Sequence, residues 1–327
     1  MKYSIGYRVQ SNDILVNEII NKKDNIFEVY CSWGTFPSGR NDQTRSEGLT
    51  PWEAQAKQIS DLEKIAKAGV KLNLLFNANC YGKRAQSREL FNEIGETVDF
   101  ATKLNLSSVT TTSPLIAKFI KQNFSGIDVR ASVNMKIGTV HGMDYVKEYF
   151  DSFYVQREKN RDFAVLKELR RWCDDNGKEM YLLANSGCLN DCSAHTFHDN
   201  LVAHEKEIAK MDNGYQFESV CRNYLSDENN HKWLLSGTSF IRPEDVPYYE
   251  GLVPAMKLAT RVHQNPLRIM RAYIDNGKCV GNMAGLLEPD HSGTIYPYIL
   301  DNTKIKATIQ NDKLLYQNAE EAFVKLE

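Results

Sequence analysis

Residues 107–133 read SSVTTTSPLIAKFIKQNFSGIDVRASV and contain one whole strand–helix–strand unit. Two β-rich runs, 107–112 and 127–133, bracket a segment that Ser113-Pro114 opens as a helix. Serine caps the first turn, and proline suits the first helical position, where its missing N–H costs nothing. Leu115, Ile116, Phe119 and Ile120 then recur at helical spacing and predict the buried side.

The same rhythm extends in both directions. Strands are expected at 3–8, 26–32 and 71–77 before this unit and at 152–156, 179–184 and 252–258 after it, eight in all. Several are mostly apolar, as strands covered by helices are. Thr50-Pro51-Trp52-Glu53 is a capping box, Ile59, Leu62, Ile65 and Ala66 form the stripe behind it, and Gly69 is the stop. A helix from Arg161 carries Phe163, Leu166, Leu169 and Cys173 on one face and ends at Gly177. Asn265-Pro266 opens the last barrel helix, which stops at Gly277.

Eight strand–helix units predict a TIM-like (β/α)8 barrel over 1–277, within the size such barrels occupy. A doubly wound open sheet would carry a glycine-rich turn after its first strand, and none is present. The rhythm breaks once, in an excursion over 188–250, and a long insertion above a barrel usually builds a site or a lid. Residues 278–327 are expected to form a short C-terminal extension with a strand pair and a helix from Ala319.

Charge and cysteine usage narrow the function. Forty Lys and Arg against forty-two Asp and Glu leave −2, which argues against nucleic acid as a partner. Seven cysteines are few and odd in number, so free or metal-bound thiols in a reducing compartment are expected rather than a disulfide framework. Met1–Gly6 lacks the apolar run of a signal peptide, and nowhere do apolar residues continue long enough for a membrane span. A cytoplasmic protein is the expectation.

In a (β/α)8 barrel the site lies at the C-terminal ends of the strands. Cys80 follows strand three, Cys188 and Cys192 follow strand seven, and Cys221 lies in the excursion, so these four share the catalytic face. Cys173 and Cys279 fall toward the opposite face, and Cys31 is ambiguous. Four thiolates suit an iron–sulfur cluster or structural zinc. His195 and His198 could add mixed ligands to zinc, but their gaps are too short for a finger. His195 also stands where a radical-enzyme C-x3-C-x2-C motif would carry its third cysteine, so that motif is broken.

There is no His-Glu-x-x-His helix, Gly-x-Ser-x-Gly elbow or phosphate loop. Ser186-Gly187-Cys188 has no histidine tied to it in a recognisable arrangement. Arg157 after strand six, with Lys257, Arg261 and His263 at strand eight, are candidates to orient an anionic substrate, against solvated ion pairs or barrel packing. His141, after strand five, is balanced between site and loop surface.

Leu183-Ala184-Asn185-Ser186-Gly187-Cys188-Leu189-Asn190-Asp191-Cys192, then Cys221-Arg222, resembles the cysteine region of the collagenase-like peptidases of unassigned catalytic type (U thirty-two). Leu234-Leu235-Ser236, Ile241-Arg242-Pro243-Glu244-Asp245 and Met256-Lys257-Leu258-Ala259-Thr260-Arg261 continue the likeness in order. Asn77-Ala78-Asn79-Cys80-Tyr81-Gly82 is similar to a subgroup with an extra cysteine after strand three. The resemblance implies a barrel holding a 4Fe–4S cluster on Cys80, Cys188, Cys192 and Cys221, the set already sorted to the catalytic face.

It further implies oxygen-independent hydroxylation or related redox chemistry, with prephenate the implied oxygen donor in some relatives, or alternatively peptidase activity. A non-catalytic, cluster-carrying role beside a second barrel protein of the same family is the third implied reading. The family's Lys-Ile-Glu-Gly-Arg run has Ala259 in place of its glutamate here. The accessory modules of RNA-directed members are absent from the pattern, so a small molecule or peptide substrate is expected.

Overall fold

The computed structural model describes residues 1–34, 36–39, 48–208, 210–211 and 217–326. Eight parallel strands close into a barrel in sequence order: β1 (Lys2–Gly6), β2 (Ile26–Cys31), β3 (Leu72–Phe76), β4 (Leu106–Thr111), β5 (Asp128–Ala131), β6 (Ser152–Tyr154), β7 (Glu179–Leu183) and β8 (Ala255–Leu258). β8 returns to β1 through pairs such as Ser4 with Lys257 and closes the circle. The expected TIM-like fold is the observed one.

Helices α1 (Ile14–Asn21), α2 (Pro51–Lys67), α3 (Arg88–Thr102), α4 (Pro114–Asn123), α5 (Val140–Asp144) and α6 (Phe163–Asp175) follow the first six strands. The excursion contains α7 (His195–Ala203), α8 (Glu205–Ile208), α9 (Val220–Leu225) and α10 (Lys232–Ser236), and α11 (Pro266–Met270) follows β8. The Thr50 hydroxyl accepts from the Glu53 N–H, and the Glu53 carboxylate receives the Thr50 N–H, so the capping box forms as read. On α6, Phe163, Leu166, Leu169 and Cys173 are all buried, as their spacing predicted. On α4 the buried set is Ile116, Ala117 and Ile120, while Leu115 faces outward. The helix packs about one residue further round than the stripe of larger side chains suggested.

Two cores share each strand, because successive side chains point to opposite sides. Val29, Leu74, Val109, Val129, Phe153, Leu182 and Leu258 pack outward beneath the helices, and Cys31 belongs to this layer. The inward residues include Ser4, Glu28, Asn73, Ser108, Arg130 and Ser152, which form a buried polar layer. Glu28 receives Ser4 Oγ at 3.1 Å, Asn73 Nδ2 at 2.8 Å, Ser108 Oγ at 3.0 Å and Arg130 Nη1 at 2.6 Å. The strands read as mostly apolar are therefore apolar on their helix-facing side and polar within the barrel at this level.

The extension is folded onto the barrel. An antiparallel hairpin joins β10 (Lys306–Gln310) to β11 (Lys313–Gln317), and β9 (Tyr298–Leu300) pairs with β12 (Phe323–Lys325). The expected closing helix is a single turn, α12 (Ala319–Ala322). Tyr316 of β11 packs against Arg161 and Arg242, with guanidinium carbons 4.5 and 5.0 Å from its ring centroid. Among the described residues, no helix is long and apolar enough to cross a membrane.

Candidate functional site

The loop after β7 is fixed before its cysteines are reached. Asn185 is wholly buried; its Oδ1 receives the Ala259 N–H at 2.6 Å and its Nδ2 donates to the Leu286 carbonyl at 2.9 Å. One side chain thereby ties β7 to the loop after β8 and to the extension. Gly187 is needed next, since a Cβ there would come within 2.7 Å of the Pro289 carbonyl oxygen. Its N–H donates to the Glu288 carbonyl at 2.8 Å, and its own carbonyl receives His291 Nε2 at 2.9 Å. Cys188 emerges from this clamp.

Cys188, Cys192 and Cys221 line one cavity of about 550 Å³, with His195 and His198 of α7, Arg222 of α9, and Val262 and His263 after β8. Glu205 of α8 and Glu288, Pro289 and Asp290 of the extension also line it. The excursion thus covers the rim after β7 and β8, where the barrel rule puts a site. Cys221 has its thiol pKa raised by burial, and its Sγ lies 3.2 Å from Ser219 Oγ. Among the described residues, no three His, Cys, Asp or Glu side chains converge as ligands of a single metal ion do.

Arg157 stands behind this wall rather than in it. It is 5% exposed; its Nη1 donates to Cys188 Sγ at 3.1 Å, and its Nη2 donates to His195 Nε2 at 3.0 Å. A guanidinium can only donate, so His195 Nε2 accepts and the ring is neutral. Burial, and then the charge of Arg157, push the His195 pKa down to about 4. Asp199 Oδ2 lies 3.3 Å from the same imidazole nitrogen and receives Asn79 Nδ2, also at 3.3 Å. The expectation that Arg157 faces a substrate anion is thereby revised, because its fork is turned onto Cys188 and His195.

The β8 cations divide. Lys257 lies inside the barrel, its Nζ 4.0 Å from the centroid of the Tyr30 ring and 4.9 Å from that of Tyr154. Burial, and next the charge of Arg261, lower its pKa to about 7. Arg261 is buried beyond the strand end. His263 is 2% exposed, its Nδ1 accepts the Asn265 N–H at 3.0 Å, and burial lowers its pKa. That contact leaves the ring proton on Nε2, which has no partner among the described residues.

Cys80 is the one expected ligand absent from the cavity wall. Its Sγ receives the Gly82 N–H at 3.3 Å, and a hydrogen bond with His204 lowers its pKa while raising that of the imidazole. His204 Nδ1 in turn lies 3.0 Å from Glu207 Oε2. His204 and Glu207 escaped the sequence reading because nothing local links them to Cys80; only the fold does. Glu288 to Asp290 also lay outside every motif, and the extension gave no sign of reaching the rim. His141, at the start of α5, belongs to neither group.

No family model matches the sequence. The chain is 28% identical over 320 residues to the "Uncharacterized protease MJ1657" of Methanocaldococcus jannaschii, spanning 92% of this chain and 89% of that protein. Its fold is similar to that of the U32 peptidase Mk0906, with a TM-score of 0.53, 12% identity, and coverage of 79% of this chain and 91% of the other. At that identity the likeness is one of fold. The chain is thus similar in sequence, over nearly its full length, to a protein named a protease and similar in fold to a U32 peptidase.

Proposed function

We propose that this chain is a barrel enzyme carrying a 4Fe–4S cluster at the rim after β7 and β8, acting by oxygen-independent hydroxylation or related redox chemistry on a small molecule or peptide. The observation that carries the reading is the meeting of Cys188, Cys192 and Cys221 on one cavity. Cys188, Cys192 and Cys221 line this cavity together, and three thiolates are donors that an iron–sulfur cluster can use. Cys80 is the fourth ligand by resemblance, and reaching the cluster would require it to leave His204.

A bound cluster would supply one-electron transfer beside the cavity. The remaining work falls to the chain. Arg222 offers a positive charge on the cavity wall, with the buried His263 ring beside it. Leu189, Val202, Val262 and Phe217 give its carbon skeleton apolar contacts. A cavity of this size, lined by apolar and polar side chains together, suits a small molecule. An anionic cosubstrate such as prephenate, implied by the resemblance, would pair with Arg222, with Glu205, Glu288 and Asp290 on the same wall. Anaerobic purification, an absorbance spectrum and iron analysis test the reading; a colourless, iron-free protein after reconstitution with iron and sulfide overturns it.

A second reading, peptidase activity, is favoured by a different observation. Cys80, His204 and Glu207 form a thiol–imidazole–carboxylate series in which a base touches the nucleophile and an acid orients the base. Cleavage of denatured collagen that survives chelators and disappears in Cys80→Ser would establish it.

A further inference from the structure

We propose that Arg157 is a positioning and tuning residue for Cys188, setting the electron affinity of whatever that sulfur ligates rather than binding substrate. The inference rests on the cluster reading above. Arg157 is absent from the cavity wall, yet its Nη1 reaches Cys188 Sγ at 3.1 Å, so it acts on the sulfur from behind. At 5% exposure its charge is little screened by water. The second arm of the fork is held by His195 Nε2 at 3.0 Å, so the guanidinium cannot swing toward the cavity without losing both partners.

Arg157, from the turn after β6, is thereby held between Cys188 of the β7 loop and His195 of α7. Hydrogen bonds to the sulfurs and net charge are the levers by which a protein sets the potential of an iron–sulfur centre. A donor and a cation at Cys188 both favour the more negative, reduced state, so Arg157 raises the reduction potential.

The test compares the wild-type chain with Arg157→Met and Arg157→Lys after anaerobic reconstitution with iron and sulfide. Iron content and the midpoint potential, followed by electron paramagnetic resonance, are read together. Arg157→Met is expected to keep its iron and to shift the one-electron equilibrium at least tenfold toward the oxidised state, about 59 mV more negative. Arg157→Lys, which keeps the charge but loses the fork, should recover part of the shift. His195→Ala, a milder loosening, should move the potential in the same direction if Arg157→Met does not fold.

An unchanged midpoint in Arg157→Met with the cluster in place overturns the proposal while leaving the cluster reading intact. If the wild-type chain binds no cluster, the cluster reading fails by itself. The Arg157–Cys188 relation is then decided on the metal-free chain by iodoacetamide labelling mapped by mass spectrometry. Labelling of Cys188 relative to Cys192 should fall several-fold in Arg157→Met, and an unchanged ratio overturns the relation.

Discussion

Arg130 and Glu28 form an ion pair at the centre of the barrel, with Nη1 2.6 Å from Oε1 and both side chains no more than 2% exposed. Burial alone would raise the Glu28 carboxyl. The Arg130 charge and the hydrogen bonds from Asn73 and Ser108 more than offset it, so its pKa lies below the ordinary value. The pair is held on every side, since Arg130 also donates to Asp128 and Ser152 and stacks 4.0 Å from the Tyr181 ring centroid.

Glu28→Gln is therefore expected to be strongly destabilising. Removing one partner of a buried pair leaves the other charge uncompensated, at a cost of about 3–5 kcal/mol. A combined Glu28→Leu, Arg130→Met variant should regain only part of that loss, because Ser4, Asn73 and Ser108 would lose their common acceptor. Guanidinium denaturation of the three proteins checks both statements; a Glu28→Gln variant within 1 kcal/mol of wild type, below the loss expected for such a pair, would contradict the first.

The interior pair shows where sequence reading stops. All eight strands were legible, because each short β-rich run is bounded by caps and glycines such as Thr50-Pro51 and Gly177. What the barrel interior contains was not, since a run such as SSVTTT supports either face turning inward until closure decides. The site divides along the same line. Cys188, Cys192 and Cys221 sorted to one rim because strand order sets height, and they share a cavity. The pairing of Cys80 with His204 and the reach of Asp290 depend on how an irregular excursion and extension settle, which no periodicity encodes.

The extension should unfold with the barrel rather than separately. Tyr316 OH receives the Arg242 N–H at 3.0 Å, and its ring packs 5.3 Å from that of Phe240 and against two guanidinium groups. Tyr316→Ala is expected to cost roughly 3–5 kcal/mol, as large-to-small changes at buried aromatics do. Differential scanning calorimetry should show one transition at lower temperature. Two resolved transitions, in either protein, would make the extension an independent unit.

Lys257 predicts a pH dependence with a definite sign. Its pKa falls from 10.5 to about 7 in the fold, chiefly by burial and next by Arg261, with Glu28 opposing and Arg130 reinforcing the fall. Between those values the unfolded chain holds a proton that the folded chain lacks, so stability rises with pH across that window. The contribution approaches about 1.4 kcal/mol per pH unit. Lys257→Met should remove that slope and raise stability near pH 7, where the buried amine begins to charge. Denaturant unfolding of both proteins at several pH values from 7 to 10 measures the difference; parallel profiles would show that the amine is not desolvated.

The cysteines give the sharpest contrast within one protein. Cys188→Ser, Cys192→Ser and Cys221→Ser each remove a donor from the cavity and are expected to lose most bound iron and its visible absorbance. Cys173 and Cys279 are controls, because both are buried away from that wall and burial pushes their thiols up to about 12. Each is protonated at neutral pH and behaves as a small apolar side chain, so Cys279→Ser should keep its iron at the wild-type ratio. Cys80→Ser decides between the two readings of its own sulfur. Loss of iron makes it the fourth ligand, drawn from His204 when the cluster binds. Full retention of iron, with a His204 imidazole that titrates closer to its ordinary value by nuclear magnetic resonance, assigns the thiol to the imidazole instead. Iron held equally by all five variants would mean that the metal sits elsewhere in the chain.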